Sequence, residues 1–523
     1  MAAVSHAPAP QVGASPEVRA ALRYDPTPLY SNEVPMRRAL SILVVATLLL
    51  PPTTLAQETP EETPRVADDP RVQRALAAYE VWVEAQRAHN RMPGVSAAIV
   101  HDQEMIWSGG FGYAEIKTGR RATASTLYSI CSISKLFTSI GVMQQRDAGK
   151  FSLDTPVQEI LPWFEIQEEH ADAGRATVEG LLTHSAGLPR ETAHPYWTGP
   201  DFPFPSREAV MDGVQTQQTL YPASTYFQYS NLGLALAGEI VVATSGEDYG
   251  AYIRQHILDP LGMNATYPEI PVERLGDDLA RGYTPIPRGG EREPMDPFQA
   301  HGIAPAAGFA SSVEDMARFA SWQMRLLDAG GTEVLDANTL REMHRVHWVD
   351  PDWSVHWGLG FSVQRADDKT IVRHGGACPG FFSNFAMIPE DKIAAIAAIN
   401  AMGVNSGAFT AAAFALVGPA IQAVVASPGE GSPSDPDLDE YLGIYRSAWG
   451  EQAVVLWEDS LATMGLPTSN PMEALSQLVR GDGDTFHRER SDGALGESLI
   501  FERNAAGEIV SFSQHGNQSQ KVE

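Results

Sequence analysis

The sequence predicts an α+β protein in which one antiparallel sheet flanked by helices carries a helical subdomain, and a small antiparallel β-barrel follows at the C-terminus. Three observations point there. Strand-like runs cluster in the first and last thirds of residues 70–426, with helices and Pro/Gly-rich loops between them. Residues 427–437 are a linker by composition (Ser-Pro-Gly-Glu-Gly-Ser-Pro-Ser-Asp-Pro-Asp). Beyond it, residues 438–523 break into short strand-like pieces separated by turns such as Asp492-Gly493.

At the N-terminus, Met36-Arg-Arg opens a charged segment, Ala39 to Leu50 is an apolar run of 12 residues, and Thr54-Leu55-Ala56 resembles a small-residue cleavage site. The run is too short to cross a bilayer, so residues 36–56 read as a signal peptide. Translation is then expected to start at Met36, leaving residues 1–35 as a start-site artefact or a disordered extension. Residues 57–69 are a Pro/Glu/Thr-rich linker. The expectation is an exported protein, periplasmic or extracellular, with no integral membrane span after cleavage.

Val72, Leu76, Tyr79 and Val83 recur at helical spacing until Met92-Pro93-Gly94 stops the helix. Val95 to Val100 and Met105 to Tyr113, joined through His101-Asp-Gln-Glu104, read as a hairpin. Ile133, Leu136, Phe137, Ile140 and Met143 form an apolar stripe that ends at Gly149. Trp357 to Gln364, Thr370 to His374, Phe381 to Ile388 and Lys392 to Asn400 have strand character, and an Ala-rich helix covers Phe409 to Val425. Six further strands are expected in the barrel: 441–445, 453–457, 461–464, 484–488, 499–503 and 509–514.

Lys plus Arg number 37 and Asp plus Glu 65, a formal charge of −28. A surface this acidic argues against nucleic-acid or anionic-membrane binding and for solubility; the expected partner is a small-molecule or peptide substrate. No cofactor is implied. His344, His347 and His356 lie close in sequence but lack an acidic partner at zinc-motif spacing. Gly110-Phe-Gly112 matches no nucleotide loop, and no G-x-S-x-G occurs, which removes the nucleophile-elbow hydrolases.

The chemistry-bearing stretch is Ser132-Ile-Ser-Lys135 at the head of the apolar stripe. A serine and a lysine three apart share one helical face, so the amine reaches the hydroxyl. Of the six lysines only Lys135 has a serine three residues before it. Further on come Tyr229-Ser230-Asn231 and His374-Gly375-Gly376. In this order the three motifs resemble the serine β-lactamase and penicillin-binding superfamily, in its class C, D-alanyl-D-alanine carboxypeptidase and esterase branch. The resemblance runs from about Val95 to Val425 and takes in Leu181-Leu-Thr-His-Ser-Ala-Gly-Leu188 and Trp357-Gly-Leu-Gly-Phe361.

The resemblance implies roles. Ser132 is the nucleophile, and Lys135 is its base if burial or a nearby cation keeps the amine neutral. Tyr229 shares that role, in a coupled pair whose proton the sequence does not assign. Asn231 holds Lys135 and the substrate amide. The oxyanion hole is formed by the backbone N–H groups of Ser132 and Ala377. His374 replaces the usual lysine and meets a substrate carboxylate only when protonated. Gly375 and Gly376 clear the strand edge for a substrate backbone.

Cys131 and Cys378 are the two cysteines. They are either small buried thiols or, by a placement that resembles some carbapenem-hydrolysing class A β-lactamases, a disulfide across the site. The C-terminal segment resembles lipocalin-like modules behind some of these hydrolases; its plainer reading is a packing module or lid. The expected function is an exported serine hydrolase, a peptidase or esterase acting through a Ser132 acyl-enzyme. The alternatives are a β-lactamase, a slowly deacylating penicillin-binding sensor, or a non-catalytic interaction protein.

Overall fold

The computed structural model describes residues 65–170, 174–366, 368–429 and 435–522. The expected signal peptide and the extension before it lie outside the described residues. Helix α1 (Pro70–His89) starts at Asp69, whose carboxylate accepts from Arg71 N at 2.9 Å, with Pro70 at the first helical position. Residues 65–69 of the expected linker are therefore folded, and Val66–Asp68 form a 3-10 turn.

The chain then forms the hairpin β1 (Gly94–His101) and β2 (Glu104–Glu115), with β3 (Arg120–Arg121) on its outer edge. After the helical region come β4 (Trp348–Val349), β5 (His356–Trp357), β6 (Ser362–Ala366), β7 (Lys369–Cys378), β8 (Phe381–Ile388) and β9 (Ile393–Ile399). Among the described residues these nine strands form one sheet, ordered β3-β2-β1-β9-β8-β7-β6-β5-β4. Their pairings are antiparallel. β1 and β9 sit in the middle and are buried along almost their whole length, which is why both read as apolar runs.

Each face of the sheet has its own core. On one side, Ala98, Val100, Val372, Phe385 and Ile396 pack with helices α2 (Ser134–Asp147), α3 (Asn231–Ser245) and α4 (Val313–Ala329). Phe137 of α2 lies 4.7 Å from Phe319 of α4 in a tilted pair, and Phe319 lies edge-on 5.5 Å from Phe385, so packed rings tie the helices to the sheet. On the other side, Val95, Ile99, Ile393 and Ile399 pack with α1 and α5 (Ser406–Ala426). α5 is long and apolar enough to cross a membrane by composition, yet it buries Phe409, Ala412, Leu416 and Ile421 in this core.

The C-terminal segment closes into an eight-stranded antiparallel barrel: β10 (Gly443–Ser447), β11 (Gly450–Trp457), β12 (Ser460–Leu466), β13 (Leu475–Arg480), β14 (Thr485–Glu489), β15 (Leu495–Arg503), β16 (Ile509–Gln514) and β17 (Asn517–Lys521). Period-2 alternation divides β11: Val454 joins the barrel core, whereas Ala453, Val455 and Trp457 join the core under α1 and α5. Tyr441, Tyr445, Phe486, Phe501 and Phe512 fill the barrel core. The barrel is thus a packed module docked against α1, one of the helices that cover the sheet face opposite α2. Trp82 Nε1 of α1 donates to Thr468 O at 2.9 Å, and Arg74 pairs with Asp459 at 3.0 Å across this junction.

Three expectations change. The barrel has two strands more than the six read from the sequence, β13 and β17, because only their neighbours in the closed barrel define them. The run Trp357 to Gln364 is two strands with a turn between them, where Gly360 takes φ +87°. The boundary placed between residues 437 and 438 falls inside a 3-10 segment, Pro436–Tyr441.

Candidate active site

Ser132 lies in a 3-10 turn, Cys131–Ile133, that leads directly into α2, so the candidate nucleophile stands at the helix mouth rather than inside the helix. The turn is held from below. Ser134 Oγ donates to Cys131 O at 2.5 Å and accepts from Phe309 N at 3.0 Å, and Ile130 N donates to Phe309 O at 2.9 Å. Cys131 itself takes φ +51°, a conformation that costs a non-glycine residue and persists because its neighbours enforce it.

One turn on, Lys135 is fully buried. Its Nζ lies 2.8 Å from Asn231 Oδ1, 2.7 Å from Ala306 O and 3.2 Å from Ser132 Oγ. Burial drives its pKa well below the ordinary lysine value; the Glu191 carboxylate opposes that shift and the Arg190 guanidinium adds to it.

Tyr229 and Asn231 flank Ser230, the N-cap of α3, whose hydroxyl accepts from Gly233 N at 2.8 Å. The Tyr229 hydroxyl faces Ser132, which offsets part of the effect of burial on the phenol, and Lys135 Nζ sits 4.8 Å from the centre of its ring. Burial pushes the phenol pKa up. The coupled pair therefore favours a neutral amine beside a neutral phenol, which makes Lys135 the stronger candidate for base.

The opposite wall is β7. β6 pairs with β7 only from Lys369 to Arg373, so His374 to Cys378 present an edge free of a strand partner on that side. Ser132, Tyr229, His374, Gly375, Gly376 and Ala377 line one open cleft of about 560 Å³. Cys131 and Cys378 are joined by a disulfide, so a covalent bridge links the residue before Ser132 to the residue after Ala377.

His374 is only 3% exposed. Burial, reinforced by Lys135 and Arg373, pushes its imidazole down to about 3. The expected cationic grip on a carboxylate is therefore not available at this position. Its Nδ1 lies 2.8 Å from Gly375 O, so Nδ1 carries the proton of the neutral ring.

The two glycines differ from each other. A Cβ on Gly375 would meet nothing closer than Asn384 Nδ2 at 3.6 Å, whereas one on Gly376 would fall 2.2 Å from both Ile130 O and Ser383 Oγ. Gly376 has no room for a side chain because β7 packs against the Ser132 turn.

Residues 80–418 match the family model described as Beta-lactamase. The chain belongs to the β-lactamase family. Among curated relatives, the Beta-lactamase-like protein 2 of Dictyostelium discoideum is 25% identical over 364 residues, 68% of this chain and 65% of its own length. The chain thus spans just under two thirds of that relative. A D-aminopeptidase of Brucella anthropi is 24% identical over 446 residues, 82% of this chain and 79% of that protein. The octameric penicillin-binding protein homologue from Pyrococcus abyssi shares the fold, with a TM-score of 0.57 at 23% identity over 85% of this chain and 100% of that one. The family's members are mostly serine hydrolases, and peptidases and amidases stand among the relatives.

Other residues of this β-lactamase-family site carry no sequence signal of their own. His184 caps the helix Val178–Thr183 at φ 60° and accepts from Ser230 N at its Nδ1, 3.1 Å away. Its ring lies 4.2 Å from that of Tyr229, and burial keeps it neutral. The phrase Leu181 to Leu188 marked the loop but not this contact. Glu191 is one acidic residue among 65, yet both its oxygens accept from Asn231 Nδ2, at 3.0 and 2.9 Å. Asn231 is thereby held from two sides, by an amide N–H on Glu191 and by Oδ1 on Lys135.

Proposed function

We propose that the protein is an exported serine hydrolase that cleaves an amide or ester through an acyl-enzyme on Ser132, acting as a peptidase or esterase. The single observation that carries this reading is the set of three contacts at Lys135 Nζ. Two of them, Asn231 Oδ1 and Ala306 O, are carbonyl oxygens that can only accept. A neutral amine gives its two hydrogens to these carbonyls and turns its lone pair to the third neighbour, the Ser132 hydroxyl 3.2 Å away.

In acylation, Lys135 takes the Ser132 proton as Oγ bonds to the substrate carbonyl carbon. The carbonyl oxygen becomes an oxyanion held by the backbone N–H groups of Ser132 and Ala377. The bond to the leaving group then breaks, and that group receives a proton from the Lys135–Tyr229 pair. In deacylation the pair removes a proton from water, hydroxide adds to the acyl carbon, and Ser132 leaves with its proton restored. A neutral His374 supplies no cation for the carboxylate of a β-lactam, which favours peptides and esters. The D-aminopeptidase relative supports the same choice. Export rests on the residues 36–56 pattern.

The test is steady-state turnover of p-nitrophenyl esters, D-aminoacyl anilides and a chromogenic cephalosporin by wild type and Ser132→Ala. Sustained ester or anilide turnover that disappears in Ser132→Ala is expected. Turnover of the cephalosporin alone would make the protein a β-lactamase, and a stoichiometric burst without turnover would make it a sensor.

A further inference from the structure

Glu191 touches neither Ser132 nor any residue of the three motifs except Asn231. Its carboxylate is nonetheless fully engaged: it accepts from Asn231 Nδ2 through both oxygens, from Arg190 Nε at 3.1 Å and from the Tyr196 hydroxyl. Tyr196 is buried, and Gln217 Nε2 pins the Glu191 carbonyl at 2.9 Å. The Asn231 backbone N–H donates to Arg190 O at 2.7 Å, so the loop at residues 190–191 and the start of α3 are locked together at two levels.

The consequence lies in the orientation of an amide. With Nδ2 held by a carboxylate, Asn231 can face Lys135 only through Oδ1, an acceptor. Were the amide to flip, its N–H groups would point at the amine and donate to its lone pair, the one feature that lets Lys135 accept the Ser132 proton. We propose that Glu191 is a positioning residue for the Lys135 base: it fixes the Asn231 amide oxygen towards Lys135 and places a negative charge behind it. This rests on the serine-hydrolase reading above.

The charged groups acting on Lys135 are Glu191 and Arg190; His184, His374 and Tyr229 pack around it in neutral form. Glu191 raises the lysine pKa and Arg190 lowers it, so the two charges bracket the amine. The sign of each substitution follows. Lys135 must be neutral to act, so reaction at Ser132 rises with pH through the lysine pKa. Removing the negative charge moves that midpoint down, and removing the positive charge moves it up.

The experiment is the second-order rate of Ser132 labelling by a neutral fluorophosphonate from pH 4 to 10 (a range set by about three units either side of neutrality). Wild type, Glu191→Gln, Glu191→Asp and Arg190→Gln are compared, with melting temperatures for each. Glu191→Gln is expected to shift the midpoint down by roughly half to one unit and to lower the plateau rate by about tenfold. Glu191→Asp keeps the wild-type midpoint, and Arg190→Gln shifts it up. A loss of packing alone lowers rates and melting temperature without moving midpoints in opposite directions. Unchanged midpoints in Glu191→Gln and Arg190→Gln overturn the proposal, and if Glu191→Gln does not fold, an unchanged midpoint in Arg190→Gln does so by itself. Absence of labelling in the wild type at every pH refutes instead the reading on which the proposal rests.

Discussion

Gly376 and Ile130 meet with no room for a side chain: a Cβ on Gly376 would lie 2.2 Å from the Ile130 carbonyl oxygen. Ser383 Oγ of the neighbouring strand β8 donates to that same oxygen at 2.9 Å, so β7 and β8 together are keyed into the segment that leads to Ser132. Gly376→Ala is expected to force β7 away from the turn, lowering Ser132 labelling at least ~100-fold together with the melting temperature. At Gly375 the nearest atom to an added Cβ is Asn384 Nδ2, an ordinary 3.6 Å away, so Gly375→Ala keeps its melting temperature. Equal effects of the two substitutions would contradict this packing account.

Tyr229→Phe removes a hydroxyl and leaves the ring between His184, 4.2 Å away, and Lys135, 4.8 Å away. Stability should therefore change little, while turnover falls by about 10²–10⁴, the usual contribution of a positioned proton donor. Pre-steady-state kinetics check this, and a wild-type kcat in Tyr229→Phe would remove the residue from the proton path.

Three buried histidines make stability depend on pH. The imidazoles of His344 and His374 are held at about 3, and that of His184 well below its ordinary value. Below pH about 6.5 the unfolded chain binds protons that the folded chain refuses until pH about 3, so stability falls as pH drops through that window. Each histidine contributes a slope of about 1.4 kcal/mol per pH unit. His374→Gln should make the urea midpoint less sensitive to pH between those limits. An unchanged slope would mean that His374 is protonated in the folded protein.

The Cys131–Cys378 disulfide closes a loop across a sequence separation of 247 residues. Replacing both cysteines by serine should lower unfolding free energy by ~3–5 kcal/mol, read from urea titration. Two free thiols titrated in the unreduced, unfolded protein would show that the bridge does not form.

What the sequence made legible was whatever local spacing encodes. The apolar stripes of α1 and α2 and the β1–β2 hairpin each declare themselves within a dozen residues or so. β17, Asn517–Lys521, has no apolar alternation, and it is a strand because Lys521 pairs with Tyr445 to close the barrel. The site divides in the same way. Ser132 and Lys135 are neighbours on one turn, and Tyr229, Asn231 and His374 stood out through motifs with fixed order. Glu191 and His184 acquire their roles only when separate loops meet, Glu191 against Asn231 and His184 against Ser230. The protonation of His374 was equally hidden, since burial between Tyr229 and Trp357 sets it rather than residue type.

The central claim is that Lys135 activates Ser132 for covalent attack. Intact-protein and peptide mass spectrometry after exposure to a fluorophosphonate tests it most directly, with wild type, Ser132→Ala and Lys135→Ala compared side by side. The account predicts one adduct on Ser132 in the wild type, none in Ser132→Ala, and labelling slowed at least ~100-fold in Lys135→Ala. An adduct on another residue, or wild-type labelling in Lys135→Ala, would contradict it.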